Sequence, residues 1–445
     1  MTLAILLLLL APAIWNGYPL LQYDTGGYLA RWYEGYLVPS RSTVFGLYLH
    51  FGQGSWFWIN LGIQALATLW ILQLTLRVLG MRTPFFVAAI SLVLVATTAL
   101  PWLASMLLTD IFAGLSILAL FLLVMHGDRI SSAEKWLLFA FTAFAAASHS
   151  ATLGVLLGLC CAGLMMRPWL GPRVPLSGLA RGGFSLVAGA VMLLATNFAL
   201  SREVAWTPGG TGVAFGRMLQ DGIVAQYLRD HCPTMKLKLC PYRNELPATA
   251  DDFLWGRSVF NTLGRFKGLN DEMTFIALHA LVEYPGRQAE AAIVATGRQL
   301  VHVATGEGTT GWVPHTYAII ERYLPGQVGA MRAARQQRWQ LNFPAINRVH
   351  IPVALGSMLA LLVILGHACR RRRLDEVTLL AATVSLALFG NAFICGVISG
   401  PHDRYGARLA WLATFTVLVA AAKAFATDED DGYGRRNRNS STPVL

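Results

Sequence analysis

Runs of about 20 apolar residues recur along this chain, separated by short polar connections, and that pattern limits the fold more than any other feature. A hydrocarbon layer is crossed by about 20 residues of α-helix. Only a helix satisfies its own backbone donors and acceptors there without help from water. Runs of this kind lie near 2–20, 56–79, 84–103, 107–126, 135–149, 150–167, 183–200, 350–369, 374–398 and 407–425. The expected fold is therefore an all-α polytopic membrane protein with about ten transmembrane helices. Composition agrees: 55% of the 445 residues are hydrophobic and 13% are charged, too apolar for a soluble chain of this length. The net charge of +11 does not point to nucleic acid, because Lys and Arg fall between the apolar runs, where they set topology.

The distribution of basic residues orients the helices. Arg77 and Arg82, Arg129 and Lys135, then Arg167, Arg173 and Arg181, then Arg370 to Arg373 all lie in alternate short connections. Positive charge favours the cytosolic side, so both ends of the chain are expected there. The apolar stretch Thr2 to Ile14 has no basic residue before it and no convincing small-x-small cleavage site, so it reads as an uncleaved first helix. The break at Ser148-His149-Ser150 decides the count: one long helix there would put the arginine run at 370–373 outside.

Four regions follow. Residues 1–200 form a seven-helix transmembrane module, 201–349 an exported and mostly helical domain, and 350–425 a three-helix module; 426–445 form a cytosolic tail without apolar periodicity, expected to be disordered. Segments 272–284 and 286–303 have helical apolar spacing. Cys232 and Cys240 lie together in the exported region and are either a disulfide or two free thiols. Cys160, Cys161, Cys369 and Cys395 read as small buried hydrophobes, and no CxxC or Cys/His metal spacing occurs.

Ionisable groups near apolar segments are costly and each calls for a reason. Four places fall at outer helix ends in this topology. They are Asp24 in the loop Tyr18-Pro19-Leu20-Leu21-Gln22-Tyr23-Asp24-Thr25-Gly26-Gly27-Tyr28, Asp110 after Thr109, His149 at the turn, and His402-Asp403-Arg404-Tyr405-Gly406-Ala407-Arg408. Each has a plain structural reading. Asp24 and Asp110 can cap helices, His149 can be a satisfied interfacial histidine, and Arg404 and Arg408, an i, i+4 pair, can face lipid headgroups. Asn197 and Asn391 read as interhelical hydrogen-bond partners. Together, an acid beside guanidinium groups suits transfer from a phosphate-linked lipid. The carboxylate takes a proton from an attacking hydroxyl, and arginine pairs with phosphate oxygens and stabilises the leaving group.

The loop residues Asp24, Tyr28, Pro39, Arg41 and Tyr48, with Thr109-Asp110, Ser148-His149 and a seven-helix module before an exported region, resemble the GT-C superfamily of integral-membrane glycosyltransferases. The likeness is to the branch of protein O-mannosyltransferases and lipid A aminoarabinose transferases. It implies an inverting transferase of the bacterial inner membrane, which moves a sugar from a polyprenyl-phosphate donor to a glycan, lipid or protein acceptor on the outer face. Asp24 maps onto the family's general base and Asp110 onto its second outer acid. His149 stands where relatives often carry Lys, which would make phosphate binding there pH-dependent. Arg41 and Tyr28 belong to the same loop pattern, while Arg404, Tyr405 and Arg408 are assigned to the phosphate from their own chemistry. Relatives often have a second acid directly after the first; here Thr25 follows Asp24, so a divalent cation is left open as a cofactor. The competing readings are a lipid or polysaccharide transporter and a non-catalytic envelope-assembly protein. A transporter expects charges midway through helices, or broken helices in related pairs.

Overall fold

The computed structural model describes residues 1–439 apart from 310, 312 and 373, and for 426–439 it describes only the backbone path. Arg373, the last of the basic run, and the end of the expected tail at 440–445 lie outside the described residues. Among the described residues every regular element is helical except one isolated bridge between Leu20 and Met106.

The N-terminal part contains α1 (Thr2–Leu9), α2 (Ala11–Asn16), α3 (Thr25–Glu34), α4 (Thr43–Gly52), α5 (Trp58–Val78) and α6 (Pro84–Thr97). It continues through α7 (Leu100–Ala104), α8 (Asp110–Met125), α9 (Ser132–Ser148), α10 (Ser150–Leu170) and α11 (Leu176–Ser201). Then come α12 (Gly210–Gln220), α13 (Ile223–His231), α14 (Ala250–Leu254), α15 (Val259–Thr262), α16 (Arg265–Glu283), α17 (Pro285–Val301), α18 (Pro314–Tyr323) and α19 (Val328–Ala333). The chain closes with α20 (Phe343–Arg371), α21 (Glu376–Ile398) and α22 (Asp403–Asn439).

Among the described residues six helical segments are long and apolar enough to cross a membrane: Trp58–Val78, Ser150–Arg173, Leu176–Ser201, Phe343–Arg371, Glu376–Ile398 and Asp403–Phe425. Two expected spans are broken. The stretch 2–20 is interrupted at Leu10 and stops at Gly17, whose φ of 83° ends the second helix in a left-handed cap. The stretch 84–103 stops at Thr97, and Thr98 is extended (φ −133°, ψ 169°) just before the Pro101-containing α7. Pro101 cannot donate a backbone bond, and Thr98 Oγ1 bonds back to Leu94 O at 2.6 Å, so the ladder stops there. Where one helix was the alternative, the chain does break at His149, which is extended between α9 and α10 (φ −154°, ψ 122°).

Helix α8 is the axis of the body. It is apolar on all sides, and every residue from Asp110 to Val124 is buried, as such a helix requires. It packs against α5, α9, α11 and α22. Gly114 allows a close approach of α22: a Cβ there would lie 2.8 Å from the ring of Trp411.

The region 201–349 does not pack as one domain. Residues of α12 to α16 close their own core around Phe215, Tyr227, Phe253, Phe260 and Met273. Val313, Tyr317, Ile320 and Met331 instead join the core of the membrane body. Periodicity gives the helices but not which hydrophobic surface each one covers. The expected helices at 272–284 and 286–303 correspond to α16 and α17. Cys232 and Cys240 are bonded to each other. Cys395 is buried, but Cys161 and Cys369 are exposed rather than interior, on helices whose outer faces are apolar. The described backbone of α22 is helical to Asn439, whereas an unstructured tail was expected from 426; extending an existing helix is easier than nucleating one.

Candidate functional site

Backbone pairing brings the two outer acids together. Leu20 N–H donates to Ser105 O at 3.0 Å, and Leu107 N–H donates to Leu20 O at 3.0 Å. Thr25 Oγ1 donates to Leu107 O at 3.0 Å. Gln64, buried on α5, steadies the same strand-like stretch by donating to Ala104 O and Met106 O, both at 3.0 Å. Asp24 is thereby fixed next to the start of α8, where Asp110 stands.

Neither acid makes a side-chain cap bond. Asp24 stands at the N-cap position of α3 and Asp110 in the first turn of α8, but their carboxylates turn elsewhere. Asp24 Oδ1 is paired with Arg41, and its Oδ2 accepts from Arg404 Nη1 at 2.7 Å. Arg404 Nε reaches Asp110 Oδ2 at 3.0 Å. Arg408 Nη1 lies 3.8 Å from Asp110 Oδ1, too far for a hydrogen bond, and that oxygen has no hydrogen-bond partner among the described residues. The result is an alternating row: Arg41, Asp24, Arg404, Asp110, Arg408. Its interior members are well covered, with side-chain exposures of 13% for Asp24, 12% for Arg404, 2% for Asp110 and 1% for Arg408.

The aromatic residues pack along this row. The Arg41 guanidinium lies 5.8 Å from the centre of the Tyr28 ring, and Tyr28 meets Phe45 edge-on at 4.8 Å. Arg404 and Arg408 each lie 5.5 Å from the centre of the Tyr405 ring, within cation–π range. Arg408 is held mainly by a neutral group, Asn391 Oδ1, at 2.5 and 3.1 Å. All eight residues singled out in the sequence therefore come together: Asp24, Tyr28, Arg41, Asp110, His149, Arg404, Tyr405 and Arg408.

His149 needs a correction. Its Nδ1 lies 3.4 Å from Arg408 Nη1. Burial, then the nearby Arg408, Arg404 and Arg41, hold the imidazole well below its ordinary range. These surroundings favour the neutral imidazole and work against the pH-dependent phosphate contact expected at this position. For Asp24, burial pushes the carboxyl up. Arg41 and Arg404 outweigh that together and hold it below the usual carboxylate range.

Sequence reasoning missed a group that holds this row from outside. Glu307, in the segment between α17 and α18, accepts from His402 Nδ1 at 2.7 Å and from the backbone N–H of Arg404 at 2.8 Å. Asp251 faces the other side of His402 at 3.9 Å. Thr316, on α18, grips the Asp24 turn by accepting from Gly26 N–H at 2.8 Å and donating to Gln22 O at 2.7 Å. Gln336 bonds both backbone groups of Leu21, at 3.0 and 2.6 Å. The only sequence signal was the glycines flanking Glu307, which mark a turn but no partner. Ala113, Ile117, Thr152, Val155, Leu156, Asn391, Arg408 and Leu409 meet where α8, α10, α21 and α22 pack together, without space for a water molecule between them.

A divalent cation does not fit these residues. No group of three potential His, Cys, Asp or Glu ligands occurs among the described residues, and Arg404 stands between the two carboxylates. Comparison with family models, with curated proteins and with solved structures finds no match.

Proposed function

We propose that the protein is a GT-C-type membrane glycosyltransferase, built on the ten-span layout with both ends in the cytosol. In this reading it moves a sugar from a polyprenyl-phosphate carrier to a glycan, lipid or protein acceptor at the outer face of the inner membrane. The observation that carries this reading is the buried row in which three guanidinium groups face two carboxylates. One positive charge is left over, and Arg408 has only a distant carboxylate. A buried cation without a close counter-ion is costly, and a phosphate group on an apolar chain supplies both the missing charge and a reason for burial.

In the reaction, Asp24 accepts the proton from the acceptor hydroxyl as its oxygen bonds to the anomeric carbon. The bond from that carbon to the phosphate oxygen breaks, and its electron pair leaves on the phosphate. Arg404 and Arg41 stabilise the charge that develops there. Asp110 holds Arg404 in place, and Tyr405 carries both Arg404 and Arg408 on its face. A transporter reading expects charges midway along helices; Asp110 opens α8, and Arg404 and Arg408 lie in the first two turns of α22.

The test uses membranes containing the protein and radiolabelled polyprenyl-phosphate sugars. Label should pass to acceptor material, and Asp24→Asn should reduce transfer by about 10²- to 10⁴-fold without unfolding the protein. Full transfer by that variant removes Asp24 as the base. No transfer by the unaltered protein from any such donor removes the transferase reading.

A further inference from the structure

Asp24 as found is clamped between two guanidinium groups, which lower its affinity for a proton. Each of its carboxylate oxygens is held by a different arginine, and Asp110 shares Arg404 with it. A base is effective when its affinity for a proton is near that required at working pH, and two guanidinium partners work against this. The same guanidinium groups are the ones a phosphate would need. Phosphate and carboxylate present similar paired oxygens to arginine, so they compete for it directly.

Resting on the transferase reading above, we propose that Asp24 and Asp110 are resident stand-ins for the donor phosphate, and that donor binding is an exchange of anions. The phosphate takes Arg404 and Arg41 from Asp24. The carboxylate is then released beside the anomeric carbon with its basicity restored, so the base is switched on only when a donor is present. The row is arranged for such an exchange. Arg404 is held at its backbone by Glu307, independently of its side chain, so the guanidinium can change partners while the start of α22 stays fixed. Arg408, with its loose 3.8 Å approach to Asp110 and its neutral partner Asn391, already provides the surplus charge that draws the anion in. Asp24 thus both inhibits donor binding and catalyses transfer.

This leads to an expectation that a simple donor-binding or metal-binding role for Asp24 does not share. Asp24→Asn, which keeps the shape and removes the charge, should bind a phosphate lipid more tightly while losing transfer. The experiment measures binding of farnesyl phosphate to the full-length protein in detergent by tryptophan fluorescence, with farnesol as the phosphate-free control. We expect about tenfold tighter binding of farnesyl phosphate to Asp24→Asn, equivalent to ~1.4 kcal/mol, and unchanged binding of farnesol. Asp110→Asn relieves Arg404 and Arg408 in the same way, should shift affinity in the same direction, and serves if the first variant does not fold. Equal or weaker farnesyl phosphate binding by the folded variants overturns the exchange. If the unaltered protein and both variants bind farnesyl phosphate no better than farnesol, the phosphate-lipid reading itself fails.

Discussion

Two buried arginine sites in this molecule differ in what surrounds the charge. Arg31 on α3 is fully buried and meets no carboxylate among the described residues. Its Nη1 donates to Thr43 Oγ1 at 2.5 Å and Asn197 Oδ1 at 3.3 Å, and its Nη2 to Val38 O at 2.7 Å. Burial pulls its guanidinium down to about 10. Arg404 is nearly as buried, but it bridges two carboxylates from two other parts of the chain. Neutral oxygens fixed in the backbone and in short side chains have no competitor of higher charge among themselves, so Arg31 is a structural pin joining α3, α4 and α11. Carboxylates can be replaced by another anion, so Arg404 is exchangeable. The kind of partner, rather than burial, separates Arg404 from Arg31.

That contrast can be broken in several ways, from the largest expected effect to the smallest. Asp24→Asn should lower transfer by about 10²- to 10⁴-fold, whereas Asn197→Asp, which gives Arg31 a carboxylate, should leave the donor KM unchanged in initial-rate assays. Arg404→Ala should raise the apparent KM for the lipid donor by roughly tenfold to a hundredfold, the cost of removing one charge-assisted contact. An unchanged KM moves the phosphate away from α22. Gly114→Leu should destabilise the protein by ~1–3 kcal/mol in thermal or denaturant unfolding, because the side chain would collide with Trp411 and push α22 off α8. Transfer should fall with it, as Asp110 and Arg404 move apart. Arg31→Met should cost a similar ~1–3 kcal/mol through unpaired buried oxygens, but the folded fraction should keep the donor KM.

The smallest effect concerns pH. The hydrogen bond from His402 to Glu307 raises the imidazole above its ordinary range, against the opposing effect of burial. Burial pushes the Glu307 carboxyl up, and its bonds from His402 and the Arg404 N–H hold it below the usual carboxylate range. The His402 contribution to stability is complete below the ordinary imidazole pKa and is lost as pH rises through the raised value. The Glu307 contribution is complete above the ordinary carboxyl pKa and is lost as pH falls through the lowered value. Stability from this bridge therefore peaks between the two. Glu307→Gln should remove the fall in stability on either side of that window, a change of ~0.5 kcal/mol or less after solvent screening, measured as melting temperature against pH.

Much of the frame could be read from local pattern. A helix carries its periodicity and its hydrogen bonds within one stretch of chain, so the runs at 56–79, 374–398 and 407–425 appear as α5, α21 and the apolar part of α22. Isolated charges next to apolar runs, Asp24, Asp110, Arg404 and Arg408, could be singled out because burying them is expensive wherever they go. The breaks at Leu10 and Thr98 were less legible, because hydropathy does not report where a backbone ladder stops.

Sequence alone determined that the chain is a set of long apolar helices with a few ionisable groups at their ends. It did not determine which charges meet, because pairing across 380 positions, as between Asp24 and Arg404, depends on how helices pack and leaves no local trace. Tertiary structure alone decided that the bridge at Leu20 and Met106 joins the two acids, that Gly114 lets α22 reach them, that Glu307 comes in from the far segment, and that His149 is buried beside Arg408. Each of these follows from close approach in a crowded interior, where a few tenths of an ångström and the neighbour's charge set the outcome.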